Sequence, residues 1–267
     1  CYDESAECSR FLDDLLRPAL DDDDIALLQK YAGQCLIGRN LSQKFLLLRG
    51  TPGGGKSTLA NVLEAIIGPY NAIQLRIRLL DERFEIAGFV GKTLLCGKDV
   101  PGNFLNSKSA YVLKALVGGD RLDAEQKNVK HRFELVGEFN VIITSNSRLH
   151  LKLDADAGAW KRRMLIVDYE QPSVSRPIPN FDRLLIESEG PGILNWCIAG
   201  ALDLLDELDA TGKFQLTDTQ MGRVDALLCE SDGVRHFIIE MVEPKHGTDV
   251  TVNELQTAYH NFCEEQG

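Results

Sequence analysis

The apolar positions of this chain fall into two rhythms. Phe45, Leu46, Leu47 and Leu48 form a short unbroken apolar run, followed by a glycine-rich stretch and then LANVLEAIIG, whose apolar residues recur at helical spacing. Strand-like runs are expected at 72–77 (AIQLRI), 93–97 (TLLCG), 139–146 (FNVIITSN) and 164–169 (MLIVDY). A helix is predicted over 106–117, with Asn106 or Ser107 as its cap. Strands that are apolar on both faces and alternate with helices predict a parallel α/β sheet covered on both sides. Val129, His131, Phe133 and Leu135 alternate with Lys130, Arg132 and Glu134, which is a strand pattern. With Leu122 and Ala124 on the incoming side, it predicts a β-hairpin whose tip lies near Gln126–Lys130.

Both ends of the chain carry the helical rhythm. Asp21–Asp24 precede Ile25, Leu28, Ala32, Cys35 and Leu36, and are read as the capped, solvated start of a helix. A metal site is disfavoured there, because successive residues do not face one point. The segment QPSVSRPIPN (171–180) is an expected linker. Beyond it Ile193, Trp196, Cys197, Gly200, Ala201, Leu204, Leu205 and Leu208 share one helix face, and Val234, Phe237, Ile238, Met241 and Val242 repeat the pattern. Thr251 and Glu254 form a capping box before Leu255, Ala258, Tyr259 and Phe262. The expected organisation is a helical lead-in over 1–40, a core over 41–171 and a helical C-terminal region over 172–267.

Composition changes this picture little. A chain of 267 residues with 44% apolar and 26% charged residues can bury a full core, as one large domain or a core with a satellite. No apolar run approaches the ~20 residues of a membrane span, and no signal peptide is visible. A chain that opens on Cys1 is expected to be part of a longer protein. The seven scattered cysteines contain no C-x-x-C pair, which argues against a disulfide framework or zinc site and for buried thiols in a reducing cytosol. Net charge is −11, which by itself speaks against nucleic acid. The charge is uneven, however. Residues 1–30 hold nine acids and three bases, whereas residues 127–163 hold eight Lys/Arg and four acids. A basic middle in an acidic shell leaves room for a local nucleic-acid site.

The candidate chemistry starts at Gly50-Thr51-Pro52-Gly53-Gly54-Gly55-Lys56-Ser57-Thr58, which satisfies G-x-x-x-x-G-K-[ST] between a strand and a helix. Glycines let backbone N–H groups wrap phosphates, and the helix N-terminus adds a favourable field. Lys56 would reach the β- and γ-phosphates and Ser57 would ligate Mg²⁺. The acid best placed to share that metal is Asp99, at the end of the 93–97 strand; Glu82 and Glu85 fall in an apparent helix. Asp99 lies between Lys98 and Val100, so a single carboxylate serves as metal ligand or as base. Asn146 ends the fourth strand and could orient an attacking water beside the γ-phosphate. Trp160-Lys161-Arg162-Arg163 precedes the fifth strand, where Arg162 or Arg163 is a candidate for neutralising transition-state charge from a neighbouring subunit. Lys127, Asn128, Lys130 and His131, at the hairpin tip, suit a nucleic-acid backbone.

This ordered set resembles the superfamily 3 helicases, specifically the helicase portion of phage and plasmid primases and of the poxvirus primase–helicase. The residues that carry the resemblance are the phosphate loop, the strand-end acid, Lys114, Leu116, Gly118, Gly119 and Asp120, the basic hairpin, Thr144-Ser145-Asn146 and Trp160-x-Arg162-Arg163. The later segment Glu189-Gly190-Pro191-Gly192-Ile193-Leu194-Asn195-Trp196 agrees with them. The resemblance implies an AAA+ P-loop NTPase core with a parallel sheet, a helical lead-in and a helical extension that begins a winged-helix module. It implies ATP and Mg²⁺ bound between subunits of a homo-hexamer, Arg162 or Arg163 acting in trans, and Lys127, Asn128, Lys130 and His131 lining a pore for single-stranded DNA at a fork. A primase or polymerase domain upstream is implied too, and a bacterial host cytoplasm as the place of action, with no membrane partner.

Overall fold

The computed structural model describes residues 2–104, 109–127, 132–147, 157–170, 178–231, 233–243 and 245–266. Its centre is a five-stranded parallel sheet of β1 (Phe45–Gly50), β2 (Ala72–Gln74), β3 (Leu94–Gly97), β6 (Asn140–Ser145) and β7 (Met164–Tyr169), in the order β2-β3-β6-β1-β7. Alternate side chains of one strand enter different layers: Phe45 and Leu47 pack on one face, Leu46 and Leu48 on the other. With both faces covered, every residue of β3 and β6 is buried, which is why these strands read as continuous apolar runs.

One layer holds α1 (Asp22–Ile37), α2 (Lys56–Ile67) and α5 (Phe181–Thr211). The other holds α3 (Ser109–Gly118), α4 (Ala157–Lys161) and α6 (Asp218–Ser231). An antiparallel pair, β4 (Arg121–Glu125) and β5 (Arg132–Val136), leaves the sheet between α3 and β6. The chain closes with α7 (Gly233–Met241) and α8 (Val252–Gln266). The Thr251 N–H donates to Glu254 and the Glu254 N–H to Thr251 Oγ1, so the expected capping box forms. No helix among the described residues is long and apolar enough to cross a membrane.

Two tight features explain otherwise puzzling residues. Helices α1 and α5 cross where Gly33 faces Gly200 and Ala201; a Cβ on Gly33 would lie 2.1 Å from the Ala201 nitrogen. The segment 189–196 holds the lead-in. Glu189 accepts the N–H groups of Arg10 and Phe11 at the start of the i→i+5 turn Phe11–Leu16, and Asn195 Nδ2 donates to the carbonyls of Asp3, Glu4 and Ala6. Gly192 leaves room for the Glu7 carbonyl, and Trp196 meets the edge of Phe11 at 5.1 Å between ring centres.

Several sequence expectations need correction. The strand at 72–77 stops at Gln74: the Leu75 N–H still bonds to the Cys96 carbonyl, but the chain then turns into a 3₁₀ segment, Ile77–Leu79, so that Leu75, Ile77 and Leu80 enter one core. Glu85 precedes a short 3₁₀ turn, Ile86–Phe89, rather than sitting in a helix, and is buried against Arg76. Asp21 caps α1 through the Asp24 N–H at 2.8 Å, but Asp24 is not solvated. Both of its carboxylate oxygens accept from Nη1 of Arg223 in α6, at 2.6 and 2.8 Å. The described cysteines are free thiols; Cys8, Cys35, Cys96 and Cys197 are buried, whereas Cys229 is partly exposed and Cys263 is exposed. Asn106 and Ser107, expected to cap α3, lie outside the described residues, as does most of the expected linker.

Candidate nucleotide and metal site

Strands β1 and β6 are neighbours, yet the next described helix after each lies on the opposite face: α2 joins one layer and α4 the other. In a parallel sheet that divergence opens a crevice at the carboxyl ends of the strands. The Gly50–Gly55 turn, Asp99 and Asn146 all stand at that end.

The turn is shaped by its neighbours. Gly50, Gly53 and Gly55 have φ of 125°, 82° and 94°, a region costly for residues with a Cβ. A Cβ on Gly50 would fall 2.3 Å from the Tyr169 carbonyl, which accepts the Thr51 N–H at 3.0 Å and its hydroxyl at 3.1 Å. Gly55 begins α2 without a side-chain cap, leaving the first N–H groups of that helix for an anion. Thr51, Pro52, Gly53 and Ser57 are exposed, while Gly54, Gly55 and Thr58 are partly covered. Lys56 is buried; its ammonium donates to the carbonyls of Gly50 at 2.9 Å and Thr51 at 2.6 Å, above the Tyr169 ring. Burial pushes the Lys56 pKa down, and the nearby Asp99 charge opposes part of that shift.

Asp99 is exposed and has φ of 51°, left-handed backbone in a non-glycine residue. Its N–H donates to Thr144 Oγ1 at 3.1 Å, and its carboxylate accepts from Asn146 Nδ2 at 2.9 Å. The structure therefore brings the strand-end acid and the strand-end amide together. The contact was not readable from sequence, nor was the part played by Thr144, whose own carbonyl accepts the Val100 N–H at 2.9 Å.

Arg162 and Arg163 stand elsewhere. They precede β7, whose register pairs Met164 with Phe45 and Tyr169 with Gly50, so roughly 17 Å of strand separates them from the glycine-rich turn. Arg163 is buried, its Nη1 donating to the Ala159 carbonyl at 3.2 Å and its own carbonyl accepting the Phe45 N–H. Arg162 is exposed, and its carbonyl accepts from Lys44 Nζ at 2.7 Å. Burial pulls the Lys44 pKa down to about 8. Lys127 is exposed just past β4; Asn128, Lys130 and His131 lie outside the described residues.

Residues 48–163 match a family of unknown function, DUF5906. No curated protein matches the chain. Solved structures of the NrS-1 C-terminal region share the fold. The A-form apo structure has a TM-score of 0.61 at 15% identity, over 87% of this chain and 53% of that one. A second A-form apo structure, of segment 305–718, has a TM-score of 0.55 at 13% identity, over 98% and 64%. Another apo structure of that segment has a TM-score of 0.52 at 14% identity, over 91% and 59%. The chain thus spans between 53% and 64% of the NrS-1 chains it resembles, and at these identities the likeness is one of fold.

Proposed function

We propose that this chain is the ATP-hydrolysing motor of a superfamily 3-type DNA helicase belonging to a viral or mobile-element primase–helicase. The observation that carries the reading is the meeting of the glycine-rich turn, Lys56, Asp99 and Asn146 at one crevice of a parallel sheet. The motif order and the fold shared with the NrS-1 C-terminal region support a replication-helicase relation.

In this reading the N–H groups of 53–58 hold the phosphates of ATP, and Lys56 exchanges two loop carbonyls for phosphate oxygens. The donor set fits Mg²⁺: one hydroxyl, Ser57, and one carboxylate, Asp99, suit an ion that completes its shell with water and substrate phosphate. No group of three or more His, Cys, Asp or Glu able to cage a metal is found among the described residues. Ser57 and Asp99 would hold the ion, which would supply charge neutralisation for phosphoryl transfer. Asn146 orients Asp99 and the attacking water. Arg162 cannot reach the turn of its own subunit, so it serves a neighbour's site in a homo-hexamer, while the hairpin residues Lys127, Asn128, Lys130 and His131 grip single-stranded DNA.

The test is steady-state ATP hydrolysis over a range of protein concentrations, with and without single-stranded DNA, beside Lys56→Ala and Asp99→Asn. Turnover that rises steeply with concentration, is stimulated by DNA and is lost in both variants is the expected result. Normal ATPase in Lys56→Ala would overturn the reading. Tight ATP binding without turnover in any state of assembly would favour a nucleotide-switched DNA loader, an alternative motivated by the single carboxylate.

A further inference from the structure

Beyond β3 the alternation of the strand continues as far as Lys98 and breaks at Asp99. Leu94 and Cys96 face the α2 layer, and Lys98 follows them to that side; Leu95 faces the other layer, where Val100 is also buried. Lys98 Nζ donates to Asn61 Oδ1 at 2.7 Å and to Glu64 Oε2 at 2.5 Å, both on α2. Asn61 in turn donates to Asp182, in the first turn of α5, at 2.7 Å. On the opposite face Val100 is fixed by its N–H to the Thr144 carbonyl and by the Ser145 hydroxyl on its own carbonyl at 2.8 Å. Asp99, in left-handed backbone, is thus strung between two anchors on opposite sides of the sheet. Backbone of that kind persists where the surroundings over-determine it. Helix α2 also begins with Lys56 and Ser57, so the Lys98 bridge ties the acid to the same rigid body that carries the metal's hydroxyl.

We infer that Lys98 is a positioning residue that sets the Asp99 carboxylate against Ser57 for a divalent cation; the inference rests on the ATPase reading above. Lys98 touches neither nucleotide nor metal in this scheme and acts through the backbone of Asp99. It also pairs its charge with the Glu64 carboxylate of α2.

The experiment uses the full chain and a fluorescent N-methylanthraniloyl-ATP probe. Binding is measured in EDTA and across a Mg²⁺ titration, for wild type, Lys98→Met, Lys98→Arg and Asp99→Asn, with melting curves as a check of folding. Lys98→Met is expected to bind the probe in EDTA within about twofold of wild type while its Mg²⁺ midpoint rises about tenfold, as outer-shell losses do. Lys98→Arg, which keeps a cation between Glu64 and Asn61, should return the midpoint to within about threefold. A wild-type midpoint in Lys98→Met, with a shifted one in Asp99→Asn, sinks the inference and spares the ATPase reading. Absence of Mg²⁺-dependent binding in the wild type sinks both. If Lys98→Met does not fold, Glu64→Gln carries the test: its midpoint must move the same way, and an unmoved midpoint overturns the inference.

Discussion

Replacing Gly33 by Ala tests the packing of α1 on α5 with a single methyl group. The new Cβ would lie 2.1 Å from the Ala201 nitrogen and 2.4 Å from the Gly200 carbonyl carbon, all backbone that no rotamer change can move. Reaching the 3.4 Å of ordinary contact means opening the crossing by roughly 1.3 Å, and a gap of 0.5–1 Å already forfeits a quarter to a half of each dispersion contact. Gly200 is equally confined: a Cβ there would lie 1.9 Å from the Gln29 carbonyl oxygen. Intrinsic propensity pulls the other way, since Ala in a helix interior is better than Gly by about 1 kcal/mol. A clash with backbone belongs at the top of the roughly 1–3 kcal/mol range for overpacking, so on the buried seam of Leu28, Tyr31, Ala32 and Cys197 it leaves a net loss of about 2 kcal/mol.

Gly222 in α6 is the internal control, because a Cβ there meets nothing within 4 Å. The same substitution should stabilise by ~0.5–1 kcal/mol. Urea midpoints at unchanged slope measure both. In melting temperature the expectation is a fall of about 4–8 °C for Gly33→Ala and a rise of about 2 °C for Gly222→Ala. Equal stabilisation by the two substitutions would refute the close crossing.

Two further expectations concern the far end of the sheet. Arg162→Ala should fold normally and lose ATPase, with activity returning on mixing with Lys56→Ala subunits, whereas Arg163→Ala should lower the urea midpoint because that guanidinium is buried; failure of mixing to restore turnover removes the trans role. Lys44, with its folded pKa lowered to about 8 by burial, binds fewer protons when folded than when unfolded between that value and its ordinary 10.5. Its contribution to stability therefore rises with pH across that window and is least favourable below it. The stability difference between wild type and Lys44→Met, followed by urea unfolding from pH 7 to 10.5, should shift toward wild type as pH rises, and a flat difference would discard the buried ammonium.

The placement of much of the candidate site was legible because each polar group terminates an apolar run. Asp99 and Asn146 follow β3 and β6, and the glycine-rich turn follows β1, so the sheet alone puts them on one edge. What periodicity could not supply is any contact between residues distant along the chain. Asp24 read as a solvated cap because its partner, Arg223, comes from α6 at the other end of the chain, and Glu85 read as helical because nothing local announces Arg76. Strand alternation gives the side on which Lys98 lies, but not Glu64 or Asn61 waiting there. Arg162 and Arg163 are adjacent and chemically identical; only the packing of α4 against β7 makes one structural and the other exposed.

That division bears on how a ring would work. The carboxyl ends of the strands carry the glycine-rich turn and Asp99, and the amino end of β7 carries Arg162, with a length of rigid strand between them. No side-chain movement closes such a separation, so in the proposed motor a single subunit would hold both halves of the chemistry without being able to join them. The mount for the arginine is stiff: Lys44 holds the carbonyl of Arg162, Phe45 bonds to the carbonyl of Arg163, and Trp160 packs into the core beside Phe45. Phe45 and Gly50 are the two ends of β1 itself. The strand that leads into the phosphate turn is also the one that braces the arginine mount, so strain at either end passes through a single hydrogen-bonded element. In the proposed ring, a neighbour's nucleotide would be felt at a subunit's own turn through β1, and successive sites would have a physical route for acting in sequence.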